Sequence, residues 1–200
     1  MSPLYLLHAL NLIKGTISRR AGRLGLPEET PKEVWTILQK GKDRLLNVLK
    51  EQEELALPTL LEDPFRLALL LWPQDFIDST STLTIYLPEE EDPRRFLVPP
   101  HNLVQVLQWH AHNFPRPRRI HLADNRGQAV VDVEPSPDAV ALEDTLGRTA
   151  LFLYYPLHRA KEYVKSVSKA SSPREIMVWH PEWGVRPLAP GQPWPSLSRG

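Results

Sequence analysis

The spacing of apolar residues changes period near residue 80, and that change restricts the chain to an α+β fold. Upstream, apolar residues recur every three or four positions, which lines them along one side of a helix. Downstream they recur every second position, which sorts them onto one face of a strand. A run of helices followed by a run of strands, with no regular βαβ alternation, points to a mostly antiparallel sheet.

Residues 2–24 read as a first helix. Ser2 is placed to cap it, Pro3 suits the first helical position, and Leu6, Leu10, Ile13 and Ile17 share one side. Lys14, Arg19, Arg20 and Arg23 gather towards its C-terminal half, where cations suit the helix dipole, and Gly25 and Pro27 end it. Residues 31–54 read as a second helix, opened by a capping box over Thr30-Pro31-Lys32-Glu33 and interrupted at Gly41, which marks a bend or a close helix contact. A third helix starts at Asp63-Pro64 and runs to Trp72. It is apolar almost all round, so it belongs at the centre of a core shared with the sheet.

Beyond residue 80 the expected order is β-β-α-β-β-β-β-α-β. The two helices of this region flank the sheet, and Asp124-Asn125-Arg126-Gly127 is a strong hairpin turn. The chain therefore divides into a helical region of about three helices (1–78), an antiparallel α+β region (79–180) and a Pro/Trp-rich extended tail (181–200). That tail has five prolines and two tryptophans without periodicity. It needs a holder, either the body of the protein or a partner.

With 200 residues, the chain suits one domain or two small ones and can bury a core without disulfides. It has no cysteine, which excludes disulfide scaffolds, Cys-type zinc sites, iron–sulfur clusters and thiol nucleophiles and fits a cytoplasmic setting. There are 21 prolines against 9 glycines, a thermophile-like balance that leaves little material for phosphate-cradling loops. No GxxxxGK(S/T), GxGxxG, HExxH, GxSxG or EF-hand pattern occurs, and no cofactor is expected. No stretch approaches the ~20 apolar residues of a membrane span. Met1 to Ile13 lacks a preceding basic region and reads as a helix and not as a signal peptide. Formal net charge is zero, but residues 1–50 carry +5, 51–100 carry −8, 101–150 carry −1 and 151–200 carry +4. Such basic ends around an acidic middle can steer partners or attract each other within the fold.

Four constellations are candidates for function. Asp132 and Glu134, two apart on a strand, point the same way and can hold Mg²⁺ as a nuclease requires, with His121 and Asp124 across the hairpin. The plainer reading is the solvent face of an amphipathic strand, with Val131 and Val133 pointing inward. His101, His110, His112 and His121 form a loose histidine group, but positions 110 and 112 do not share a helix side, and surface or cap histidines are the simpler expectation. Arg116, Arg118 and Arg119 follow Trp109 and Phe114, and Lys161, Lys165 and Lys169 lie four apart on the last helix. Together they suit phosphate contact in a nucleic acid, or else an ordinary solvated surface. Trp183 and Trp194 in the tail suit docking on a protein partner, or packing on the chain's own sheet.

The missing catalytic motifs, the apolar first helix and the unsupported tail favour a non-catalytic structural or adaptor subunit of a larger macromolecular assembly. On this reading other protein subunits are its partners and docking runs through the helical front end and the Pro/Trp tail. A nucleic-acid-binding module in a nucleoprotein complex is the alternative, and a metal-dependent nuclease the second alternative.

Overall fold

A computed structural model of the protein describes residues 1–50, 53–73, 80–170, 172, 174–189 and 191–198. Its front end contains α1 (Pro3–Leu12), β1 (Ile17–Arg20), β2 (Arg23–Gly25), α2 (Lys32–Lys40), α3 (Lys42–Val48), β3 (Glu54–Leu55), α4 (Leu57–Leu61) and α5 (Pro64–Leu71). Two of the three expected helices are therefore divided, and a small sheet in the order β2-β1-β3 stands between them.

The first helix stops at Leu12, not near residue 24. Ile13 is extended and Gly15 takes φ 130°, a backbone state that only glycine enters readily. The helical stripe was misleading at its last member, because Ile17 returns to the core from a strand and is fully buried there. Arg20 pairs in register with Arg23 across a two-residue turn, Ala21-Gly22, in which both residues have positive φ. The basic cluster thus sits on a hairpin, and Arg19 reaches across to donate to the carbonyls of Leu46 (3.3 Å) and Leu49 (3.2 Å) at the end of α3. The expected capping box at Thr30 is absent as well. Pro31 is the N-cap of α2, without a side-chain bond, and the Thr30 hydroxyl instead donates to the carbonyl of Pro27 at 2.7 Å.

The third helix forms as its sequence suggests. The Asp63 carboxylate accepts from the amides of Phe65 (3.0 Å) and Arg66 (3.2 Å), and seven of the eight residues of α5 are buried. Its last carbonyls receive the buried Arg44 of α3, which donates to Leu70 at 2.6 Å and to Trp72. Gly41, between α2 and α3, serves both of its expected uses. It ends one helix and begins the next, and a Cβ there would lie 2.3 Å from a methyl of the buried Leu6.

The main sheet is built from β4 (Ser81–Tyr86), β5 (Arg94–Val98), β6 (Arg119–Ala123), β7 (Ala129–Val133), β8 (Ala139–Leu146), β9 (Thr149–Pro156), β10 (Glu175–His180) and β11 (Gly184–Pro187), in the spatial order β11-β10-β8-β9-β7-β6-β4-β5. Every neighbouring pair is antiparallel except β7 and β9, which run parallel. α6 (Leu103–Asn113) links β5 to β6, and α7 (Leu157–Val167) follows directly on β9. The β8–β9 strands run longer than their alternation alone suggests and leave Gly147-Arg148 as the turn, with Gly147 at φ 62°.

One face of the sheet, with Leu83, Ile85, Ile120, Leu122, Val131, Val133, Ala141, Phe152 and Tyr154, packs against the front helices in a single cluster reaching from Leu4 to Trp179. The helical region and the sheet therefore share one core. On the other face, Val140, Leu142, Leu153, Tyr155, Ile176 and Val178 pack beneath Ala160 and Val164 of α7. The reading of residues 181–200 as an extended tail is corrected in part. Gly184, at φ 69°, reverses the chain into β11, which pairs with β10, while Val185 and Leu188 supply the apolar contacts that bring it back.

Replacing Gly41 with Ala is expected to cost about 1–3 kcal/mol, because the fully buried Leu6 has no room to move aside. Urea unfolding would show this as a lower midpoint at unchanged slope.

Candidate functional site

The densest group of polar side chains on the second face forms around Asp132. This residue pairs in register with His121 of β6 on one side and with Leu153 of β9 on the other. Arg119 stands two residues before His121 and Tyr155 two residues after Leu153, so alternation brings all four onto the same face. Arg119 grips the carboxylate with both arms of its fork, Nε to Oδ1 at 2.7 Å and Nη2 to Oδ2. The Tyr155 hydroxyl donates to Oδ2 at 2.5 Å, and His121 Nδ1 lies 2.9 Å from the same oxygen. Since the carboxylate can only accept, that nitrogen carries the proton.

The expectation that Asp132 faces solvent is overturned: it is only 2% exposed. Val131 and Val133 do point inward to the front helices, but the opposite side of β7 is covered too, by Tyr155 and by the long arms of the flanking arginines. Burial pushes the Asp132 carboxyl up, yet the hydrogen bonds from Arg119, His121 and Tyr155 outweigh it and hold the group below its ordinary value. The same bond pushes the Arg119 guanidinium up, and burial together with Asp132 pushes the Tyr155 hydroxyl up.

A second pair extends the group. Glu134, just past β7, forms an ion pair with Arg159 from the first turn of α7. The Arg159 guanidinium lies 4.2 Å from the centre of the Tyr155 ring, and that of Arg119 lies 5.0 Å from the centre of Tyr86. Burial, and then the nearby charge of Arg119, lower the affinity of Arg159 for its proton. Two guanidiniums from different elements thus meet beside two carboxylates. Both candidate catalytic acids are already engaged by arginines.

The other sequence candidates separate. Arg119 is drawn into the Asp132 group, while Arg116 and Arg118 remain exposed, Arg116 donating to the carbonyl of Glu62. Lys161, Lys165 and Lys169 are exposed, but α7 ends at Val167, so Lys169 lies in the turn beyond it and the expected helical stripe is reduced to Lys161 and Lys165. At 100° per residue Lys161 lies about 200° round the helix from Arg159, on the flank away from Arg119. Trp183 is buried, its indole N–H donating to the carbonyl of Ser196 at 3.1 Å, and Trp194 packs against the same cluster. Both indoles are engaged within the chain. Of the histidines, His101 and His112 are exposed, and His110 is fully buried among Phe65, Phe96, Trp109 and Phe114 with no hydrogen-bond partner on either ring nitrogen. Among the described residues no three His, Asp or Glu side chains converge as a metal site would require, and no helix is long and apolar enough to cross a membrane.

Arg119 and Tyr155 were the members least visible in sequence. Arg119 looked like part of a Pro-Arg run, and Tyr155 arrives through the parallel β7–β9 contact, which no local pattern announces. The alternation of Arg119 with His121 and of Asp132 with Glu134 across the 124–127 turn was the available signal. No family model matches the chain, and no match to it was found among the curated proteins or the solved structures.

Asp132→Asn is expected to lower stability at neutral pH by about 3 kcal/mol, since it leaves Arg119 half-buried without its counter-charge. The depressed carboxyl contributes stability that is present above its ordinary value of 3.8 and is lost as pH falls through the lower folded value. Urea melts from pH 7 to 3 should accordingly show a shallower acid loss in the variant.

Burial, and next the charge of Arg94, push the His110 imidazole below its ordinary 6.5, so the folded state binds this proton more weakly than the unfolded state does. Its contribution to stability therefore diminishes as pH falls below 6.5. His110→Leu should match or exceed the wild type at pH 8, where two unpartnered nitrogens are removed, and should lose less stability by pH 5.5 in the same melts.

Proposed function

We propose that the chain is a non-catalytic structural or adaptor subunit of a larger assembly, docking through its helical front end. The observation that carries this reading is the exposure of large apolar side chains on the two leading helices. Tyr5 and Leu12 of α1 are 44% and 50% exposed, and Trp35 of α2 is 49% exposed. Tyr5 and Leu12 are seven residues apart and therefore share one side of α1, while Leu4, Leu6, Leu7, Ala9 and Leu10 are buried in the core. Aromatic side chains of this kind serve as anchors in protein interfaces. Asp132 and Glu134 add support from the other direction, because both are held in internal ion pairs. Of the two parts its composition suggests, the Pro/Trp tail takes the internal one, with Trp183 and Trp194 packed over the chain's own sheet.

A nucleic-acid-binding module is the second reading, favoured by the exposure of Arg116, Arg118, Lys161, Lys165 and Lys169. A metal-dependent nuclease would require a cation to displace Arg119 and Arg159 from the two carboxylates.

The test is co-purification of the tagged chain from its source, washed at low and high salt, beside a Tyr5→Ser/Leu12→Ser/Trp35→Ser variant. A stoichiometric protein partner that survives high salt with the wild type and disappears with the variant is the expected result. Absorbance at the nucleic-acid band that vanishes as salt rises would favour the second reading. A wild-type sample that retains neither would sink both.

A further inference from the structure

Arg119 and Arg159 are separated by 40 residues, on β6 and the first turn of α7, and lie close enough for the charge of Arg119 to bear on Arg159. Each is held by an aromatic ring, Tyr86 or Tyr155, and by one carboxylate, Asp132 or Glu134. Their side chains are a quarter to a third exposed, so neither is sealed in the core. Arg119 gives Nε and Nη2 to Asp132 and stands within hydrogen-bonding reach of the Tyr155 hydroxyl, so Nη1 is the arm of its fork not committed to the carboxylate. Arg159 contacts Glu134 through Nη1, and the rest of its fork is likewise not committed to the carboxylate. His121 is anchored through Nδ1 and has Nε2 to spare.

A guanidinium fork is planar and matches two oxygens of a carboxylate or phosphate. Two forks from different elements offer more donors than one planar carboxylate can use, and they suit a tetrahedral anion. The two acids are not equivalent obstacles. Asp132 is buried and surrounded by three donors, whereas the Glu134 side chain is 29% exposed and makes one ion pair, so it can be displaced. We propose that Arg119, Arg159 and His121 form a binding site for the phosphate group of a small phosphorylated molecule, which enters by taking the place of Glu134 on Arg159. The site lies on the sheet face opposite the front helices and is independent of the docking reading above.

Inorganic phosphate is the probe, titrated into the full-length protein by calorimetry and thermal melting at constant ionic strength, with chloride as the reference. Wild-type protein should show saturable binding and a rising melting temperature. Arg159→Gln should weaken binding at least about tenfold, and Glu134→Gln should strengthen it several-fold by freeing the guanidinium. Lys161→Gln, which removes the same charge from the far flank of α7, should behave as wild type. Arg119 is left intact in these variants because its loss would strand the buried Asp132. The proposal is overturned if the wild type does not distinguish phosphate from chloride, or if Arg159→Gln and Glu134→Gln bind as the wild type does. A single-stranded RNA 12-mer that binds in an Arg159-dependent manner, without any response to free phosphate, would overturn it in favour of a nucleic-acid strand.

Discussion

Burial of α5 is the constraint on which the rest of the architecture depends. A helix with one polar residue in eight has no side to show to water, so it must be enclosed. α3, α4 and α6 flank it, and β6 and β7 lie against it. Enclosure creates a second problem, since the last carbonyls of a buried helix have no water to bond. Arg44 answers this by reaching from α3 to Leu70 and Trp72, and Arg19 does the same for the end of α3. Two of the nine basic residues in the first fifty positions thus act as links between elements, while the other seven are exposed.

With one face of the sheet occupied by α5 and its neighbours, the other face is divided. α7 and the returning tail cover β8 to β10 with apolar contacts. Along the flank of α7 the sheet carries Arg119, His121 and Asp132 in place of aliphatic residues. A carboxylate buried there would be very costly alone, and it is tolerated because three donors from two strands meet it. The same alternation that hides Val131 and Val133 on one side of β7 places Asp132 on the other. Core and polar group are therefore two consequences of one strand, and a register slip would exchange them.

A polar group of this kind has two uses that are compatible. It specifies the pairing of β6, β7 and β9, because Asp132 is satisfied only when Arg119, His121 and Tyr155 are in register. It also holds two guanidiniums in fixed orientation at the surface. The leading helices, with Tyr5, Leu12 and Trp35, offer an apolar surface on the opposite side of the molecule. Recognition of a protein partner and recognition of a small anion would then use separate faces of one sheet.

What the sequence determined by itself was local. The Asp63-Pro64 start of α5, the 124–127 hairpin, the alternation of β4 and β7 and the α+β class all depend on residues close in the chain, so their signals are complete within a short window. The structure decided what depends on contacts between distant segments. Gly15 ended α1 where the apolar stripe continued, because a strand could bury Ile17 as well as a helix could. The parallel pairing of β7 with β9 brought Tyr155 to Asp132 and then Arg159 to Glu134. The tail is held where β11 pairs with the edge of β10. A carboxylate on an alternating strand has the same pattern whether its face meets water or another layer, and the packing of distant elements is what tells the two apart.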